Sequence, residues 1–251
     1  MSSIQSTQFR VSDEASRATR TDHGNAGVPA DAAVAPALDL RGIVKSWKGP
    51  GRVLDHVDLV VSPGTAIHLS GQNGCGKTTL LRIAVGLIKP EAGSVSSGGL
   101  HPDHDRRRYQ QRIGFLAAGD RALYARMTVR DHLKFWARLN FIPRKEEQQV
   151  IERALVTFGL HELADRRVDR ISMGQRQRVR LGGSFLHDPS VVLLDEPRNS
   201  LDDAGIELLS EWANGVLRRN GAVIWCSPNG ESAEMDFDER YVLSEGHLSR
   251  R

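Results

Sequence analysis

The stretch GQNGCGKTT, residues 71–79, decides the fold. It follows the strand-like AIHLS (66–70) and opens an amphipathic run, KTTLLRIAVGLI (77–88). Gly71, Gly74 and Gly76 let the backbone curl close to an anion. Its N–H groups and the start of the next helix then face the negative charge. The spacing G-x-x-x-x-G-K-T between a strand and a helix is that of a phosphate-binding loop. Its candidate cofactor-binding residues are Gly71, Gln72, Asn73, Gly74, Cys75, Gly76, Lys77, Thr78 and Thr79. Lys77 reaches the β- and γ-phosphates, and the Thr78 hydroxyl offers a ligand for Mg²⁺. A glycine-rich turn without a ligand is the plainer alternative, and the full pattern in its strand–helix setting argues against it.

A phosphate-binding loop needs an acid to hold the metal, best placed at the end of a neighbouring buried strand. VVLLDEP (191–197) supplies one. Asp195 follows four apolar residues and is the candidate metal ligand alongside Thr78. Glu196 stands where a carboxylate can polarise a water for attack on the γ-phosphate. Glu196 and Lys77 are therefore the candidate catalytic pair. An ordinary strand end carrying two acids is the competing reading.

The bulk properties set limits on the rest. With 251 residues, 39% hydrophobic and 26% charged, the chain can form one domain with a sizeable core, or two small lobes. A net charge of +3 does not by itself call for a nucleic-acid partner. The two cysteines, Cys75 and Cys226, lack metal-ligand spacing and suit a reducing compartment. No apolar run approaches the roughly 20 residues a membrane helix needs. Residues 1–36 are rich in Ser, Thr and Ala, show no period, and are expected to be a disordered tail. No apolar core of a secretory signal follows the N-terminus, and Asp13, Glu14 and Asp22 do not suit a transit peptide.

From residue 37 the pattern is α/β. Strands are expected at RVLDHVDLVV (52–61), TAIHLSG (65–71), SVVLLDE (190–196) and GAVIWCS (221–227). Helices are expected at 77–88, 128–139, 145–160, 174–186 and 202–219. The runs 191–194 and 222–226 look buried on both faces, as parallel strands between helices are. The middle, roughly 120–175, is mainly helical.

ISMGQRQRVRLGG (171–183) admits two readings: a basic nucleic-acid helix, or half of a site completed elsewhere. Arg176, Arg178 and Arg180 fan around a helix rather than forming a stripe, which disfavours the first. The order of phosphate loop, SMGQ and LLDEP resembles that of ATP-binding-cassette (ABC) ATPases. SMGQ is similar to their L-S-G-G-Q signature, with Met173 in place of the first glycine. The resemblance covers roughly 38–250 and implies a mainly parallel core sheet, an antiparallel β part and a helical subdomain near 120–175. It implies ATP and Mg²⁺ as cofactors and head-to-tail pairing with a second ATPase domain, read as a homodimer. Ser172, Gly174 and Gln175 would then cap the partner's ATP. NSLDD (199–203) is similar to the family's D-loop, with helix capping by Ser200 as the local alternative, and Trp47 stands where an aromatic stacks on adenine.

Three departures bear on turnover. Met173 is one. The glutamine that the resemblance places after RIGF is replaced by Ala118 or Gly119, leaving Asp120 as a substitute. Pro228 occupies the place of a histidine, with Ser227 and Asn229 as candidate replacement donors. Hydrolysis is therefore expected to be altered while binding is kept. The segment LYARMTVRDHLKFWARL (123–139) resembles the region that contacts a membrane subunit. The expectation is an ATPase that energises an ABC exporter, bound on the cytoplasmic face of a polytopic membrane partner, with no nucleic-acid partner. The alternative is a soluble ABC ATPase with assembly or regulatory duties.

Overall fold

The structure, a computed structural model, describes residues 34–47, 51–119, 123–199, 201–228 and 235–251. The expected tail falls almost wholly outside this range, as do Asp120, Ser200 and Asn229. The described part belongs almost entirely to one unit, Ala35–Arg251. It begins with strands β1 (Leu38–Ser46), β2 (Arg52–Val61) and β3 (Ala66–Gly71), then helix α1 (Lys77–Ala84). Next come β4 (Ala92–Ser96), α2 (Arg106–Arg112), β5 (Ile113–Leu116), α3 (Val129–Leu139) and α4 (Arg144–Thr157). The remainder is α5 (Met173–Phe185), β6 (Val191–Asp195), α6 (Asp203–Arg218), β7 (Ala222–Pro228), β8 (Glu239–Ser244) and β9 (His247–Arg250).

Two sheets result. One is antiparallel, in the order β2-β1-β4, and the other runs β5-β6-β7-β3-β8-β9. In the second, all pairings are parallel except β8 with β9. Strands β3 and β6 are buried at every position, as a parallel strand covered on both faces must be. Alternate side chains feed two cores. Val191, Leu193, Ile224 and Cys226 join α1 and the antiparallel sheet. Val192, Leu194, Val223 and Trp225 join the helices α3 to α6. In β2 the inward residues are Leu54, then Val57, Leu59 and Val61. The switch of parity coincides with a register irregularity against β1 and with His56 at φ 52°, the mark of a bulge.

Local chemistry sets the ends of the helices. The apolar run after the phosphate loop continues to residue 88, but α1 stops at Ala84. Gly86, at φ 77°, takes the left-handed position, and the Gly86 and Leu87 amides return to Ile83 and Arg82 carbonyls. Thr128 caps α3 by accepting from the Asp131 amide. At α6 the cap is Asp202, which accepts from the Gly205 amide. The strands that the pattern does not show are β1, β4, β5, β8 and β9, which are short or carry polar residues. Among the described residues no helix is long and apolar enough to cross a membrane.

Helices α3 and α5 approach at Gly183. A Cβ built there would lie 2.1 Å from the Trp136 ring, so the close packing needs hydrogen at this position. Gly183→Ala is expected to destabilise the protein by about 1–3 kcal/mol, the usual cost of overpacking. A urea midpoint equal to wild type would show that the Trp136 ring moves aside freely.

Candidate functional site

Between β3 and α1 the chain makes a loop that only glycine permits. A Cβ on Gly71 would sit 2.5 Å from the Leu243 carbonyl oxygen, and one on Gly76 would sit 2.9 Å from that of Val53. Gly76 is at φ 111° and Gly74 at φ 82°, conformations that strain any other residue. Helix α1 starts at Gly76 with no side-chain cap, so its first-turn amides are open to an anionic ligand. The Lys77 ammonium is buried, donating to the carbonyls of Gly71 (2.8 Å) and Gln72 (3.0 Å). It also lies 3.8 Å from Glu196 Oε1.

The parallel pairing of β3, β7 and β6 brings the acids of the distant VVLLDEP segment to this loop. Thr78 Oγ1 donates to Asp195 Oδ1 at 3.1 Å. Asp195 is 1% exposed, and its Oδ2 is buried with no hydrogen-bond partner. Burial pushes its carboxyl pKa up. The Thr78 hydrogen bond opposes this, the Glu196 charge adds to it, and the Ala118 amide and Arg82 oppose it. An orphaned buried carboxylate oxygen beside a hydroxyl is the donor set a small hard cation takes, with phosphate completing its shell. The residues present therefore fit Mg²⁺, held by Thr78 and Asp195.

Glu196 follows directly at φ 48°, left-handed backbone in a non-glycine residue. Such strain costs of order 1–3 kcal/mol and concentrates at working sites. The turn is held by the Glu196 amide donating to the Cys226 carbonyl and by the Asn199 amide donating to the Glu196 carbonyl. Asn199 Nδ2 also donates to Glu196 Oε2 at 2.8 Å, so the carboxylate spans from Asn199 towards Lys77. This role of Asn199 could not be read from the chain order alone.

A cleft of about 360 Å³ joins Trp47, Asn73, Gly74, Gly76, Lys77, Thr78, Thr79 and Glu196, with Val53 as a further wall from β2. Trp47 is 51% exposed, and its indole N–H donates to Thr79 Oγ1 at 3.4 Å. An exposed aromatic at the mouth of a phosphate loop offers a face for a base to stack on. Gln72 contributes its carbonyl to Lys77, while Cys75 is half-buried and packs towards Gly71. A larger cleft, about 550 Å³, runs past Leu87, Pro90 and His104, and none of the expected site residues lines it.

The signature residues lie apart from this cleft. Ser172 caps α5, accepting from the Gln175 amide at 3.2 Å, while Gln175 Oε1 accepts from the Ser172 amide at 2.9 Å. A Cβ on Gly174 would meet Asp202 Oδ2 at 2.5 Å, so the start of α6 packs against the signature. Two of the three arginines that suggested a basic helix bond to protein carbonyls. Arg176 donates to Val168 and Ile171, and Arg180 is buried and donates to Ala117. Pro228 ends β7 opposite Gly71 and brings no donor to the loop. Ser227 does not replace it: the residue is 1% exposed and its hydroxyl is paired with His68 Nε2 at 2.7 Å.

Known proteins resemble this chain. The family described as ABC transporter matches residues 54–199. The ABC transporter ATP-binding protein NatA of Bacillus subtilis (strain 168) is 31% identical over 78% of this chain and 79% of its own length. The Fe(3+) ions import ATP-binding protein FbpC of Escherichia coli O157:H7 is 35% identical over 66% of this chain, which spans 47% of that protein. A solved structure of the ATP binding subunit of an ABC transporter superposes with a TM-score of 0.76 at 24% identity, covering 86% of this chain and 89% of that one.

Asp195 carries a stability cost that a mutation can remove. Its folded pKa is raised, so stability falls as pH climbs from the unfolded carboxylate value through the folded one. Asp195→Asn is expected to raise the melting temperature of the ligand-free protein at neutral pH and to flatten that decline. A lower melting temperature for the Asn variant at pH 7 would contradict the assignment of a desolvated, metal-ready carboxylate.

Proposed function

Because the chain belongs to the ABC transporter family and is an ATPase of that family, we propose that it energises a membrane transporter through Mg²⁺-dependent ATP binding and hydrolysis at the phosphate loop. The observation that carries this reading is the convergence of a buried Lys77, the Thr78–Asp195 pair and Glu196 on one cleft walled by Trp47.

The geometry supports the following roles. The open amides of the glycine loop and Lys77 bind the triphosphate. Arriving phosphate oxygens replace the Gly71 and Gln72 carbonyls as partners of the ammonium, a stronger charge-assisted contact. Trp47 stacks on the base. Thr78 and Asp195 hold Mg²⁺, which when bound neutralises phosphate charge. Glu196, steadied by Asn199, orients a water and accepts its proton. Ser172, Gly174 and Gln175 lie outside the cleft of their own chain, which suits a role on the ATP of a second copy. The positive end of the α5 dipole favours an anion there.

The partner in this reading is a polytopic membrane subunit, with the ATPase on its cytoplasmic face. The direction of transport is not part of it, because relatives at comparable identity include proteins named for import. Copurification with a polytopic protein from detergent extract separates this reading from a soluble ABC ATPase.

Glu196→Gln is expected to leave ATP affinity within about threefold of wild type while slowing turnover at least ~10²-fold. With hydrolysis blocked, Mg·ATP should produce a dimer peak in size exclusion. Lys77→Ala should instead lose ATP binding itself. Wild-type turnover in the Glu196 variant would end the catalytic assignment. Pro228→His should raise kcat by about 10²–10³, the value of one preorganised donor, with ATP affinity unchanged. No rise in single-turnover hydrolysis would show that another group already holds the water.

A further inference from the structure

Trp47 is held from more sides than an exposed residue at a cleft mouth requires. Its indole N–H donates to Thr79 Oγ1 at 3.4 Å, which ties the ring to the phosphate loop. The Lys45 ammonium lies over the ring itself, 5.2 Å from the centroid. That is within the ~6 Å over which the negative face of an indole attracts a cation. Residues two apart on an extended chain share a face, and Lys45 and Trp47 have that spacing across the end of β1.

Lys45 is in turn fixed by Glu91, which stands just before β4. The Glu91 amide donates to the Val44 carbonyl at 2.8 Å. Its Oε1 accepts from the Ser46 amide at 3.1 Å and lies 3.8 Å from Lys45 Nζ. One carboxylate therefore holds both the last residue of β1 and the cation that covers the ring. The Lys45 side chain is only 16% exposed, so its charge is not simply solvated at the rim. Trp47 lines the phosphate-loop cleft and Lys45 does not, so the ammonium leaves the cleft side of the ring open.

We infer that Lys45 is a positioning residue for nucleotide binding: seated on Trp47 and held by Glu91, it fixes the indole plane on which the base stacks. The inference rests on the reading of Trp47 as the base-stacking residue given above. An exposed tryptophan that samples several rotamers has to be ordered when the base arrives, and that cost weakens binding. Here the Lys45 cation and the Thr79 hydroxyl order it beforehand. Lys45 stays outside the cleft that holds the phosphates and Glu196, so its effect is confined to the base. Ground-state and transition-state binding then change together, which moves KM and spares kcat.

Calorimetric titration of the full chain with Mg·ATP and with Mg·tripolyphosphate, a polyphosphate without a base, tests this. Lys45→Met keeps the apolar stem and removes the charge. It should weaken ATP binding about three- to fivefold and leave tripolyphosphate binding unchanged. Lys45→Arg, whose planar cation also stacks on an aromatic face, should bind ATP like wild type. Trp47→Ala should weaken ATP binding about tenfold, and adding Lys45→Met to it should cost nothing further. In steady-state hydrolysis Lys45→Met should raise KM by the same three- to fivefold at unchanged kcat, roughly the worth of one exposed cation–π contact. Wild-type ATP affinity in Lys45→Met overturns the proposal. So does an equal loss for tripolyphosphate, or the same loss in Lys45→Arg, because either marks a general structural defect. A further loss on the Trp47→Ala background also overturns it, since Lys45 would then act without the ring. Wild-type ATP affinity in Trp47→Ala would instead overturn the base-stacking reading itself.

Discussion

The phosphate loop can lie where it does only because two of its residues have no Cβ. Gly71 presses on the Leu243 carbonyl and Gly76 on that of Val53, so the loop is wedged between β8 and β2 with no room for a methyl group. These contacts pin the start of α1 to the carboxyl end of the parallel sheet. Everything polar at the site is placed from there. Lys77 is the first residue of α1 and turns back under the loop, and Thr78 next to it reaches the end of β6. Bulky side chains at these glycines would move the helix start and separate the hydroxyl from the carboxylate.

The site is held in an uncomfortable state. A lysine and an aspartate are almost fully buried, one carboxylate oxygen has no partner, and Glu196 sits in left-handed backbone. Each of these opposes folding, and a phosphate or a metal ion offsets the buried charges and the unpartnered oxygen. The surrounding structure makes up the difference through the two apolar cores on either face of β6 and β7. Fully burying residues such as Leu193 or Ile224 contributes about 1.5–3 kcal/mol each. Stability is thus concentrated in the sheet and withheld from its edge, where ligands act.

Helix α5 serves both cores of meaning in this molecule. Its apolar side, with Val179, Leu181 and Phe185, packs into the helical layer. Its start carries a capping box that keeps Ser172 and Gln175 in fixed positions at the surface. Two of its arginines, Arg176 and Arg180, which by composition look like part of a charged face for a polyanion, are drawn inward to carbonyls of the 168–171 turn and of residue 117. A charged residue type thus acts here as an internal brace.

Much was legible in the sequence because the signals were local. The glycine loop, the alternating or continuous apolar runs and the caps act within a few residues, so β2, β3, β6, β7 and most helices follow from spacing alone. Even there, α1 ends four residues before its apolar run does, because Gly86 takes the left-handed turn. Strands β1, β4, β5, β8 and β9 were not legible. Their short or polar-interrupted sequences become strands only when a neighbour offers hydrogen bonds. The pairing of Thr78 with Asp195 was implied by two motifs, but its distance is decided by the parallel register of β3, β7 and β6. Asn199 on Glu196, Ser227 on His68 and Arg180 on Ala117 had no trace in the sequence. Those contacts join residues up to 159 positions apart, and only the packed sheet brings such distant side chains within hydrogen-bond reach.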